Sequence, residues 1–111
     1  MLKGFHYAHT RLDEQGRPLK IVHRDVSPQN VLVAYEGQIK IVDFGIAKAR
    51  TAGREETEAG AVKGKYAYFA PEQAKGKEID HRADIYSLGG IVFEMLTGRP
   101  PFEADHAMEM V

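Results

Sequence analysis

The sequence contains no cysteine, which excludes disulfides and thiolate-bound metals. It carries almost no net charge: 15 basic against 16 acidic residues give -1 at pH 7. No broad field therefore draws it to nucleic acid or to an anionic membrane. No apolar run is long enough to span a bilayer, and the longest, around Ile91-Val92-Phe93, is cut by Glu94. Met1-Leu2-Lys3-Gly4-Phe5 leads into His6, Tyr7 and His9 rather than into the apolar centre of a signal peptide. Internal repeats and low-complexity tracts are missing as well. These absences fit a cytoplasmic protein with no membrane segment in this chain and no nucleic-acid partner. What remains is 111 residues, 43% hydrophobic and 28% charged, the composition of at most one globular domain.

Along the chain, Leu2, Phe5 and His9 share a helical face near the start. Asp13-Glu14-Gln15-Gly16-Arg17-Pro18 is a polar turn cluster, followed by a short extended piece at Ile21-Val22. Val31-Leu32-Val33 and Ile39-Lys40-Ile41-Val42 are strand-like and are joined by Tyr35-Glu36-Gly37-Gln38, which predicts a small hairpin. From Ala47 to Lys65 the chain is polar with three glycines. A loop of that length in a compact domain is often functional. Asp80 is a candidate N-cap for a helix carrying Ile85, Leu88, Ile91, Val92, Met95 and Leu96, with Gly98 at its end and Pro100-Pro101 beyond. Apolar residues cover most of its circumference, so it is expected to be buried. Ala104 to Val111 reads as the start of another helix. The whole is α+β, mainly helical with a small β-hairpin. The hairpin has no cover for its second side and the apolar helix too few partners, as in part of a larger domain.

The chemistry concentrates in His23-Arg24-Asp25-Val26-Ser27-Pro28-Gln29-Asn30 and in Asp43-Phe44-Gly45. An acid and an amide lie five residues apart ahead of the first strand, and a second acid follows the second strand. A hairpin brings Asn30 and Asp43 together because they flank its two strands. Converging oxygen ligands of this kind suit Mg²⁺, which takes few protein ligands and completes its shell with phosphates and water. Alone, each piece is ordinary. Asp-Phe-Gly is often a turn, a lone histidine is more often a core hydrogen-bonder, and a lone arginine is usually a solvated charge.

Together with Ala70-Pro71-Glu72, Asp84-Ile85-Tyr86-Ser87-Leu88-Gly89 and Gly98-Arg99-Pro100-Pro101-Phe102, these motifs resemble the catalytic half of a serine/threonine protein kinase of the bacterial, eukaryotic-like type. The resemblance covers nearly the whole chain. It implies that residues 1–111 are a partial kinase domain, a partial C-terminal lobe running from the helix before the catalytic loop to just past the buried helix. It implies ATP and Mg²⁺, with a protein Ser/Thr hydroxyl as acceptor. Asp25 is then the residue that accepts the acceptor's proton, and Asn30 and Asp43 the metal ligands. Leu32 is the residue packed beneath the adenine, and His23, Phe44 and Asp84 are internal supports of the catalytic loop. Ser27-Pro28 implies hydroxyl acceptors of the serine/threonine type. Arg24 implies control by a phosphate on the loop that follows. Thr57 is its preferred site among Thr51, Thr57, Tyr66 and Tyr68, against the plain alternative of an unmodified threonine.

Three positions depart from the family pattern. Ser27 stands where the family has a lysine that contacts the γ-phosphate, and Lys65 stands where a threonine usually follows the glycine at Gly64. A swap is expected, in which Lys65 supplies the missing cation; the alternative is a lysine facing solvent. The connection from Arg11 to Pro18 is longer than usual and is expected to bulge at the surface. Gln29 occupies a place where many arginine-directed kinases carry an acid, which argues against a strong preference for basic substrates. The 111 residues include no glycine-rich loop, no Val-Ala-Ile-Lys strand and no glutamate helix to match the family's N-terminal lobe. Glu72 is expected to lack its usual arginine partner at a cost in burial. The isolated chain is therefore expected to be inactive, a fragment whose upper lobe lies elsewhere. A non-catalytic kinase-like binding module is the competing reading. A metal site from His6, His9 and acidic neighbours is a third, for which no further ligand is specified.

Overall fold

The computed structural model describes residues 1–44 and 66–102. The expectations for Gly45, the 47–65 loop with Thr51, Thr57 and Lys65, and the segment 104–111 lie outside these residues.

Helix α1 spans Leu2–His9 and buries Phe5 and Ala8. The expected face shifts by part of a turn. Leu2 stays 64% exposed, and the inward stripe is Phe5, Ala8 and His9, the i, i+3, i+4 set that shares one side of a helix. The connection that follows protrudes as expected, but as an ordered turn. Leu12 bridges Pro18. One carboxylate oxygen of Asp13 accepts the amides of Gln15 and Arg17 at 2.9 Å, and the other accepts Arg17 Nε at 2.8 Å. Ile21-Val22 joins no strand.

Strands β1 (Val31–Val33) and β2 (Ile39–Ile41) form the predicted antiparallel hairpin, with Val31 opposite Ile41, Leu32 opposite Lys40 and Val33 opposite Ile39. Alternation sends Val31 and Ile41 toward the core and Leu32 away from it. Helix α2 is a single turn, Pro71–Ala74. Helix α3 runs His81–Thr97. Asp80 caps its start by accepting the Arg82 amide, and Gly98, at φ 73°, ends it in the left-handed conformation that glycine adopts without strain.

The expected burial of α3 is only half met. Ala83, Asp84, Ser87, Leu88 and Ile91 form its buried stripe, while Ile85, Val92, Phe93, Met95 and Leu96 are exposed. One stripe is all that the other described elements can cover. The apolar core joins Phe5, Val26, Ala67, Tyr68, Leu88 and Ile91, so α1, the loop before β1, the 3-10 turn Tyr66–Tyr68 and α3 meet at one point. Gly90 permits this meeting: a Cβ there would lie 3.2 Å from both the Tyr68 ring and Pro101.

Candidate active site

The loop 23–30 has little regular structure, so its conformation is set by side chains. Asp84, 1% exposed, is the anchor. One carboxylate oxygen accepts the His23 amide at 2.8 Å, and the other accepts the Arg24 amide at 3.0 Å. His9 Nε2 donates to the same carboxylate at 2.7 Å. Three donors satisfy a charge that burial would otherwise make costly.

His23 carries the connection onward. Its Nε2 lies 2.8 Å from the Val42 carbonyl, and its Nδ1 lies 3.2 Å from the Asp25 amide. A carbonyl only accepts and an amide N–H only donates, so the ring is neutral with its proton on Nε2. The Phe44 ring packs on it at 4.5 Å between centroids. Phe44 also lines an apolar groove of about 500 Å³ with Tyr7, Ile21, Ile39 and Ile41.

The expected site residues fall as follows. Asp25 is 6% exposed and Asn30 4%. Asn30 ends the 3-10 turn Pro28–Asn30, and its Nδ2 donates to the Asp25 carbonyl at 2.7 Å. That bond uses the donor end of the amide and leaves Oδ1 as the end available to a cation. The Val42 amide donates to the Asn30 carbonyl at 2.9 Å. The ladder thus continues one pair beyond β1 and β2, bringing Asn30 alongside the residue before Asp43. Asp43 is exposed. Leu32 is 51% exposed on the hairpin face away from the core. Lys65 lies outside the described residues.

The donor set of Asn30 and Asp43 consists of hard oxygens, one neutral and one anionic, which fits Mg²⁺ completed by phosphate and water. No group of three or more His, Cys, Asp or Glu that could hold a metal occurs among the described residues, so the histidines of α1 build no separate metal site there. Glu72 is only partly buried, so the burial cost expected for its missing partner is reduced.

Several features of the site were not announced by the motifs. Arg24 and Asp43 adopt φ of 70° and 58°, a left-handed conformation rare outside glycine. Strain of this kind collects at functional sites. Gln73 accepts the Ala70 amide at 3.2 Å and donates to the Arg24 carbonyl at 2.9 Å, tying α2 to the loop. Glutamine at the third position of a helix opening with proline is a readable capping signal, but its second partner, 49 residues away, is not. Ser87 Oγ likewise holds the Tyr68 carbonyl at 2.6 Å. The Tyr68 hydroxyl donates to Glu94. Burial, and then this carboxylate, push its pKa well above the ordinary phenol value.

The protein kinase domain profile matches residues 1–111. The chain belongs to the protein kinase family. The chain is 50% identical over 109 residues to the tyrosine-protein kinase MasK of Myxococcus xanthus, covering 98% of this chain and 17% of that relative. It is 50% identical over 86 residues to a probable serine/threonine-protein kinase of Streptomyces coelicolor, covering 77% of this chain and 13% of that protein. It is 46% identical over 86 residues to the serine/threonine-protein kinase PknB of Mycobacterium tuberculosis, covering 77% and 14%. The chain thus spans less than a fifth of the length of these relatives. Among the described residues its α+β architecture, three α-helices with a two-stranded sheet, is that of a partial kinase fold. No helix among the described residues is long and apolar enough to cross a membrane.

Proposed function

We propose that this chain is the catalytic segment of a protein kinase that transfers the γ-phosphate of ATP to a protein serine or threonine hydroxyl. The observation carrying the reading is the hydrogen-bonded link between the two motif loops: His23 to Val42, Val42 to Asn30, and Asn30 to Asp25. In this reading Asp25 accepts the proton of the acceptor hydroxyl and orients its oxygen in line with the phosphorus. That oxygen bonds to phosphorus as the bond to the leaving diphosphate breaks. Asn30 and Asp43 would hold Mg²⁺, which when bound neutralises charge on the phosphates. Leu32 would pack against the adenine. Lys65 would supply the cation that Ser27 does not. Arg24 would pair with a phosphate at Thr57.

Residues 1–111 would form part of the lower lobe in a longer kinase, with the ATP-covering lobe supplied by the rest of that polypeptide. The apolar faces left open on α3 and the hairpin support this assignment. A cytoplasmic setting goes with it, since ATP is the phosphate donor.

The test is radiolabel transfer from ATP by the longest natural polypeptide containing these residues. Asp25→Asn is expected to abolish incorporation, and the isolated 111-residue chain to show none. Incorporation that survives Asp25→Asn counts against the reading. Lys65→Ala is expected to slow turnover well beyond a distant surface lysine control; parity with that control removes Lys65 from the mechanism.

A tyrosine acceptor is the second reading. It is favoured by the likeness to MasK, which covers nearly the whole chain. Phosphoamino-acid analysis of the labelled product separates the two.

A further inference from the structure

We propose that the Ser27 hydroxyl belongs to the acceptor site, where it hydrogen-bonds the alcohol or phenol oxygen that Asp25 deprotonates. This rests on the phosphotransfer reading above and adds a residue to it.

Ser27 is 1% exposed, and its Oγ has no hydrogen-bond partner among the described residues. It does not cap the 3-10 turn that it opens, although its carbonyl accepts the Asn30 amide at 3.0 Å. Buried hydroxyls are normally paired, and an unpaired one lowers stability. The other buried serine, Ser87, behaves in the ordinary way, donating to the carbonyls of Tyr68 and Ala83. Alanine would fill the Ser27 site with less loss, so the hydroxyl needs a reason to be there.

Its position supplies the reason. Ser27 sits two residues after Asp25 and three before Asn30, inside the turn closed by the bond from the Asn30 side chain to the Asp25 carbonyl. The backbone at Ser27 is extended, with φ -151° and ψ 162°. The intervening Val26 enters the apolar core. On extended backbone neighbouring side chains point to opposite sides, so Ser27 faces away from Val26 and that core. In this proposal an acceptor oxygen brought to the Asp25 carboxylate meets the hydroxyl two residues on, once rotation about the Cα–Cβ bond turns it out of its sealed position. As the acceptor's proton passes to Asp25 and its oxygen bonds to phosphorus, Ser27 donates to that oxygen and stays protonated throughout. A short neutral donor at this place grips the acceptor rather than the nucleotide, unlike a lysine reaching for phosphate.

The experiment uses the longest natural polypeptide containing the chain, a peptide acceptor and saturating Mg-ATP, with Ser27→Ala and Ser27→Cys compared to wild type. The thiol is nearly isosteric but a weak donor. Both variants are expected to lose about tenfold in kcat/KM for the acceptor, the worth of one hydrogen bond. Nucleotide affinity should stay unchanged, and Tm should stay level or rise. Activity within twofold of wild type with a raised Tm overturns the proposal, since the hydroxyl is then only an unmet group. Parallel loss of nucleotide affinity, acceptor kcat/KM and Tm also overturns it, in favour of a structural role. If wild type transfers no phosphate at all, the phosphotransfer reading falls with it, whereas the first two results leave that reading standing.

Discussion

Two aspartates one helical turn apart at the start of α3 have opposite fates. Asp80 is at the surface, paired with Arg82 at 2.9 Å with its side chain half exposed. Asp84 is sealed and accepts from His9, His23 and the Arg24 amide. The surface aspartate gains an arginine and holds its own carboxyl at a pKa of about 2; the sealed one holds the 23–30 loop and the end of α1. A charged partner and a strong titration shift therefore mark the less consequential residue. A screened surface pair contributes little to stability, while a buried acceptor decides where backbone amides point.

Substitution sharpens this contrast. Asp84→Ala leaves the His23 and Arg24 amides buried without an acceptor and should cost about 3 kcal/mol or more. Amide exchange at His23 and Arg24 should rise together in that variant. Unchanged protection at both would mean that the loop is held by something else. Tyr68→Phe removes the bond to Glu94 but keeps the ring against Gly90, for a loss of about 1 kcal/mol by denaturant titration. Asp80→Ala removes the cap of α3 and should lower Tm by less than either. Its folded pKa is depressed, chiefly by the hydrogen bond from the Arg82 side chain and then by the Arg82 amide. Its contribution is therefore fully present above pH 4 and disappears as pH falls toward 2. The Tm difference between wild type and Asp80→Ala should shrink across that window and stay flat above it. The smallest effect belongs to the open face of α3. Met95→Lys should change stability by no more than about 0.5 kcal/mol in this chain. A larger loss would show that the face is covered after all.

The sequence made some of this legible because local chemistry decided it. Asp80, Gly98 and Pro100-Pro101 bounded α3, and the two strand-like runs marked the hairpin, since each signal acts within a few residues. The motif residues also announced the neighbourhood of Asn30 and the strand before Asp43. The inward stripe of α1 was misplaced because Leu2, in the first turn, has nothing to pack against, and spacing alone does not reveal that. The burial of α3 was overread for the same reason: a helix apolar all round states what it needs, not what is present to cover it. The positive φ of Arg24 was invisible, because arginine gives no cue for a conformation imposed by Asp84 and Gln73. His9, expected on a helical face and weighed as a metal ligand with His6, became the third donor to Asp84 through a contact 75 residues long.

The Gln73 amide spans two backbones with its two ends, oxygen toward Ala70 and nitrogen toward Arg24. Exchanging that nitrogen for oxygen, as in Gln73→Glu, keeps the first grip and turns the second into repulsion between a carboxylate and a carbonyl. A change of one atom would then uncouple α2 from the loop without moving the helix, making this side chain a strut that can be cut at one end only.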